Sequence, residues 1–216
     1  MITVIYAHKA GQGVTTITAA LATLTARAGK RTLLVDTGND LAAVLGVGEP
    51  DRPGLGDYLT DPAITLADVV TPVTENLDLI TRGNHTPELT AANYGLLTGA
   101  LGHYDAVIMD AAPGAAKWVR HADTRVLVTR PCYLALRNAT NRPRPDHLVV
   151  ITEPGRALTP ADIETVIGIP VTATVPCAPD ISRAIDAGLL TTRPPRSLTR
   201  ALSPIVTAIT TGPVTR

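Results

Sequence analysis

The first thirty residues leave few folds open, because a short β-branched strand, a turn with two glycines and an alanine-rich helix follow one another directly. Ile2-Thr3-Val4-Ile5-Tyr6-Ala7 is the apolar strand-like run, Lys9-Ala10-Gly11-Gln12-Gly13-Val14-Thr15-Thr16 is the turn, and Ile17 to Ala28 has helix composition. The start of a helix offers unpaired backbone N–H groups and a partial positive charge, so an anion can sit there without a side-chain cation. Gly11 and Gly13 let the backbone approach such an anion closely, while Thr15 is placed to reach a divalent cation and Thr16 to bond an inner phosphate. Taken alone the turn is a weak signal, since glycine turns between strand and helix also arise from packing.

The turn has the outline of a P-loop, with Val14 standing where that loop carries its lysine. Further segments agree with it in chain order. Gly29-Lys30-Arg31-Thr32-Leu33-Leu34-Val35-Asp36 is an apolar strand ending in a carboxylate. Tyr104-Asp105-Ala106-Val107-Ile108-Met109-Asp110 ends the same way and runs into Ala111-Ala112-Pro113-Gly114. Val126-Leu127-Val128-Thr129-Arg130-Pro131 leads into a helical stretch from Tyr133 to Ala139. The chain closes with Ile169-Pro170-Val171, Val175-Pro176-Cys177-Ala178-Pro179-Asp180 and Ala184-Ile185-Asp186-Ala187-Gly188.

Together these segments resemble the ParA/MinD family of deviant Walker A P-loop ATPases over nearly the whole chain. The family pattern K-G-G-x-G-K-[ST]-[ST] is matched at Lys9, Gly11, Gly13, Thr15 and Thr16, and broken at Val14. The family's D-x-D is matched at Asp36 and broken at Gly38, and its Walker B strand and D-x-x-P-G switch are matched at Asp110 to Gly114. The resemblance implies ATP and Mg²⁺ as cofactors. It places Gly11, Gln12, Gly13, Val14, Thr15 and Thr16 around the phosphates, with Thr15 toward Mg²⁺ and Asp110 in its outer shell. It makes Lys9 the signature lysine that reaches a partner subunit's phosphates, and Asp36 a switch residue near the metal. From the residues alone, Asp36 serves equally as a cap for Thr37-Gly38-Asn39, Asp110 as a cap for the segment after Pro113, and Asp40, two residues past the lost carboxylate, as the N-cap of a helix starting near Leu41 unless a rearranged loop brings it to the attacking water.

The departures from the pattern fall on charged positions. Losing a charged hydrogen-bond partner costs about 1.5–3 kcal/mol, roughly ten- to a hundredfold in affinity, which nucleotide binding at millimolar concentration survives. Hydrolysis is more exposed, because a cation on the transition state is worth about 10³–10⁵ in rate. The water-positioning aspartate of the family is replaced by Gly38 as well. After the strand at 147–152, where the family often has an adenine-reading asparagine, stands Thr152-Glu153-Pro154, which leaves the base open.

Strand-like runs at 2–7, 32–36, 77–80, 106–110, 125–129, 147–152 and 171–175 alternate with helical ones at 15–28, 39–46, 55–60, 65–70, 89–102, 115–121, 132–140, 160–167, 180–187 and 197–210. The pattern predicts an α/β, doubly wound, mostly parallel sheet with helices on both faces, in one domain over 1–216, and a phosphate loop at the carboxyl edge of the sheet. With no Phe and one Trp, the core has to be built from Val, Leu, Ile and Ala. No apolar run approaches the roughly 20 residues of a membrane span and no signal-peptide pattern opens the chain, which points to the cytoplasm. Leu198 to Ile209 is apolar enough for a terminal helix, but Pro204 interrupts it and no lysine-rich face marks it as a membrane anchor. Cys132 and Cys177 are expected to pack, not react, and the five histidines have no metal-ligand spacing.

Net charge is zero but unevenly spread. Residues 1–120 hold 8 Lys+Arg against 12 Asp+Glu, and residues 121–216 hold 11 against 7. The basic half includes Arg137, Arg142, Arg144, Arg193, Arg196 and Arg200, which the resemblance relates to non-specific DNA binding and which the proline-rich surroundings explain equally as solvated surface. Two function classes stay open. One is a nucleotide switch for cell division, plasmid partition or positioning of another complex. It would work as a homodimer or larger self-assembly with a DNA or adaptor-protein partner, and with weak or absent hydrolysis. The other is a nucleotide-independent pseudo-ATPase acting as a scaffold or filament.

Overall fold

The computed structural model describes residues 1–48, 50–88, 90–111, 116–139 and 144–211. In chain order the elements are β1 (Ile2–Tyr6), α1 (Val14–Arg27), β2 (Thr32–Asp36), α2 (Leu41–Leu45), α3 (Leu55–Thr60), α4 (Leu66–Val69), β3 (Thr71–Thr74), β4 (Leu77–Ile80) and α5 (Ala91–Ala100). After a 3-10 turn at Leu101–His103 come β5 (Ala106–Asp110), α6 (Ala116–His121), β6 (Thr124–Thr129), α7 (Tyr133–Arg137), β7 (His147–Thr152), α8 (Pro160–Ile167), β8 (Ala173–Pro176), α9 (Pro179–Asp186) and α10 (Arg196–Thr211). The strands form one sheet in the order β3-β4-β2-β5-β1-β6-β7-β8. All neighbouring pairs are parallel except β3 with β4.

Each central strand is buried on both faces, as parallel strands under crossover helices must be. The period of two divides their side chains between two cores. Ile5, Leu34, Ile108, Val126, Val128, Val149 and Ile151 pack beneath α1 and α10, and Val4, Tyr6, Leu33, Val35, Val107 and Met109 pack on the opposite face with Trp118. The core is aliphatic, as a chain without Phe requires.

Helix α10 lays Leu198, Leu202, Ile205 and Ile209 on α1 and β8, each such side chain contributing about 1.5–3 kcal/mol on burial. Pro204 is exposed on its outer face, where the carbonyl one turn earlier can turn to water. No helix among the described residues is long and apolar enough to cross a membrane.

The edge strand β3 is not among the predicted strands. It is four residues long, contains Pro72 and a register shift, and is half-exposed, features that hide an edge strand from periodicity. Cys177, expected to pack, lies exposed just past β8, because the strand ends at Pro176 on the rim of the sheet. The switch residues Ala112, Pro113 and Gly114, and Arg142, lie outside the described residues.

Candidate phosphate site at the carboxyl edge

β1 lies between β5 and β6, so its last residue opens at the centre of the carboxyl edge and the following turn reaches α1 at Val14. Gly11 (φ 76°) and Gly13 (φ 91°) are both left-handed, a region closed to most side chains. A Cβ on Gly13 would sit 2.6 Å from Ile151 Cδ1, so the loop is seated directly on the end of β7. Gly13 is also the N-cap of α1. No side chain caps this helix and its first turn holds no acidic residue, leaving the first N–H groups available to an anion.

Gln12 is buried, and its Oε1 accepts the Arg130 N–H at 2.8 Å, which ties the loop to the end of β6. The sequence marks Gln12 as a loop residue but not as this tether. Asn138 Nδ2 donates to His8 O at 3.3 Å and holds the other flank. Val14 turns its side chain toward the apolar cluster beneath α1. Thr16 is half-buried in the first turn of α1. A cavity of about 410 Å³ lies over the loop, lined among others by Lys9, Gly13, Val14, Thr15, Gly38, Asp40 and Asp110. Lys9 is exposed on its rim, with no ion pair or hydrogen bond to the described residues.

Asp110 ends β5 on the other side of the cavity, which Thr15 also lines. Burial pushes its carboxyl up to about 7; the Thr15 hydroxyl pulls the other way, and the charges of Asp36 and Asp40 add to the rise. Among the described residues no side-chain cation pairs with this carboxylate, and a carboxylate with a threonine hydroxyl on one cavity is the hard-oxygen donor set that Mg²⁺ takes. The loop's open helix start and the Thr15 and Asp110 oxygens that line the same cavity fit a magnesium-bound phosphate group.

Asp36 caps the turn that follows it, as the local sequence allows, and takes over the helix start that the sequence assigns to Asp40. Asp40 occupies the N-cap position of α2, yet its carboxylate makes no cap hydrogen bond and instead lines the cavity, exposed. The capping is done by Asp36, whose Oδ1 accepts from Gly38 N–H (2.7 Å) and Asn39 N–H (2.9 Å) and whose Oδ2 accepts from Leu41 N–H (2.9 Å). Asp36 is fully buried, so both oxygens need partners and the turn supplies them. Thr37 then bonds Asp110 O through both N–H (3.2 Å) and Oγ1 (2.8 Å), fixing the end of β2 to the end of β5.

The sequence matches the model of the CobQ/CobB/MinD/ParA nucleotide binding domain over residues 3–191. No curated protein matches it. Among solved structures, the MinC:MinD cell division protein complex of Aquifex aeolicus is similar with a TM-score of 0.82 and 19% identity, covering 100% of this chain and 98% of that one. The septum site-determining protein MinD of Pyrococcus horikoshii OT3, complexed with Mg-ADP, has a TM-score of 0.76 at 21% identity over 95% and 93% of the two chains. A plasmid partition protein of Borrelia burgdorferi B31 bound to AMPPNP has a TM-score of 0.70 at 19% identity over 95% and 96%.

Proposed function

Because the chain belongs to the family of CobQ/CobB/MinD/ParA nucleotide-binding domains, we propose that it is a nucleotide switch that binds Mg-ATP and turns it over weakly or not at all, in the service of positioning DNA or a cellular complex. The observation that carries this reading is the convergence of Thr15 and Asp110 on a cavity that lies over the uncapped start of α1. Gly11, Gln12, Gly13, Val14, Thr15 and Thr16 would hold the phosphates through backbone N–H groups, Thr15 would reach the magnesium ion, and Asp110 would orient that ion's outer ligands. Magnesium there supplies charge neutralisation of the phosphates. Lys9, exposed at the rim, is free to reach a second subunit; Asp36 holds the turn that carries Gly38 and Asp40 to the cavity. Related structures carry Mg-ADP and AMPPNP in their own sites, which supports the choice of nucleotide.

A second reading has its own support. Val14 is half-buried against the apolar cluster and puts no cation over the outer phosphates, as fits a nucleotide-independent scaffold that keeps the assembly surfaces of the fold. Sedimentation of the unmodified protein and of Lys9→Ala, each with and without Mg-ATP, separates the two. The switch reading predicts assembly that grows with Mg-ATP and is lost in Lys9→Ala. Assembly indifferent to both nucleotide and Lys9 would replace it with the scaffold.

A further inference from the structure

The turn after β2 delivers to the phosphate cavity a carboxylate that the local capping leaves unused. Asp36 and Asp110 stand opposite each other in the register of β2 and β5. Thr37 bonds the Asp110 carbonyl, so the chain leaves β2 directly beside the end of β5. Asn39 is left-handed at φ 93°, the one non-glycine residue so placed among the described residues and an uncommon conformation for an L side chain. The Asp36 carboxylate holds this reversal through the N–H groups of Gly38 and Asn39. Gly38 and Asp40, on either side of it, both line the cavity together with Thr15 and Asp110.

Helix α2 does not use the Asp40 side chain. The Leu41 N–H at the helix start is already taken by Asp36 Oδ2 at 2.9 Å. Asp40 makes no cap hydrogen bond, and no ion pair with the described residues holds it. It is exposed, and its charge is near enough to Asp110 to add to the rise of that carboxyl. A bare carboxylate facing a polyphosphate opposes binding by Coulomb repulsion. The contact that turns it to advantage is a water molecule that donates a hydrogen bond to the carboxylate and presents its oxygen to phosphorus.

We propose that Asp40 takes over from the carboxylate missing at Gly38 and holds the water that attacks the outer phosphate, so that the chain hydrolyses bound nucleotide slowly. The inference rests on the phosphate-site reading above. Thr15 and Asp110 mark the magnesium end of the cavity, and magnesium bridges the outer phosphates, which brings the terminal phosphate to the end that Gly38 and Asp40 line. The water oxygen bonds the terminal phosphorus as the bond from that phosphorus to the bridging oxygen breaks, its electron pair staying on the departing diphosphate. One water proton goes to Asp40, whose exposure lets it pass on to solvent, and the other stays on the released phosphate. The rate stays low because Val14 puts no cation over the outer phosphates.

Asp40→Asn tests this cleanly, since asparagine caps a helix start as well as aspartate does and lacks the charge. Phosphate release would be followed in single turnovers over hours, and binding of Mg-ATP by calorimetry. The substitution is expected to slow release about a hundredfold or more, to background, the share of a positioned proton acceptor. Mg-ATP binding should stay unchanged or tighten, because a like charge has gone. Mg-ADP with aluminium fluoride, a mimic of the phosphoryl group meeting its water, should bind more weakly to Asp40→Asn than to the unmodified chain. Adding Gly38→Asp to Asp40→Asn should return release, since both positions line the same end of the cavity. Equal release by Asp40→Asn and the unmodified chain would overturn the role of Asp40 and leave the phosphate site standing, as would binding by the unmodified chain without release above background. Weaker Mg-ATP binding by Asp40→Asn would make Asp40 part of the metal site and overturn the proposal likewise. No binding of Mg-ATP by either protein at millimolar ligand would remove both readings.

Discussion

Substituting Gly13 by alanine tests how the loop is held, because two separate costs can be worked out for it. Gly13 has φ 91° and ψ 21°, and an L side chain in the left-handed region costs about 1–2 kcal/mol. The new Cβ would also lie 2.6 Å from Ile151 Cδ1, well inside contact distance. That atom is the tip of a flexible side chain, which moderates the clash, but Ile151 is only 5% exposed and has little room to turn. Overpacking of this kind costs about 1–3 kcal/mol. The sum expected is about 2–5 kcal/mol of destabilisation, measured by urea denaturation. Ile151→Val separates the two parts, because it removes Cδ1. Alone it should cost about 0.5–1.5 kcal/mol, whereas in the Gly13→Ala background it should cost nothing or restore stability. A double-mutant cycle in which the two costs simply add would refute the close seating of the loop on β7.

Three other substitutions probe different parts of the account. Asp57 is buried and its Oδ2 accepts from Gly54 N–H at 2.8 Å and Asn84 N–H at 3.2 Å, with His85 on Oδ1. Burial raises its carboxyl, but these hydrogen bonds outweigh that and hold it below the usual value of 3.8. The stability it contributes is therefore present above pH 3.8 and lost as pH falls through the folded value, so Asp57→Asn should destabilise at pH 7 by about 1.5–3 kcal/mol and by much less near pH 3, as urea titrations at the two pH values would show. Val14→Lys should tighten Mg-ATP binding roughly tenfold or more in calorimetry, since the lysine stem can cover the same apolar surface while its ammonium reaches the cavity. Adding Gly38→Asp should bring measurable phosphate release, because Gly38 lines the cavity and is not among the positive-φ glycines, so its backbone accepts a side chain; a double variant as inactive as the parent would contradict this.

What the sequence discloses follows from the range of the forces involved. The buried parallel strands are short β-branched runs, so β1, β2, β4, β5, β6 and β7 are legible within a residue or two; β8 begins two residues later than the composition suggests, and β3, a proline-bearing edge, is invisible to any rule based on burial. The loop is legible because its glycines answer to local backbone geometry. The division of labour between Asp36 and Asp40 is not, since both are acidic residues near one helix start and only the path of the turn decides which carboxylate faces its N–H groups. Nor is the Gln12 tether to Arg130, or the sharing of Glu153 by Arg130 and Arg156, which depend on strands brought together by the sheet order.

The most direct measurement of the central claim is a calorimetric titration of the unmodified chain with ATP, once with Mg²⁺ and once with a chelator. A phosphate site built from the start of α1 with Thr15 and Asp110 predicts saturable binding at or below millimolar ATP that strengthens with Mg²⁺ and disappears in Gly13→Ala. Absence of heat and of competition by inorganic triphosphate at millimolar concentration, in a protein whose denaturation shows it folded, would contradict it.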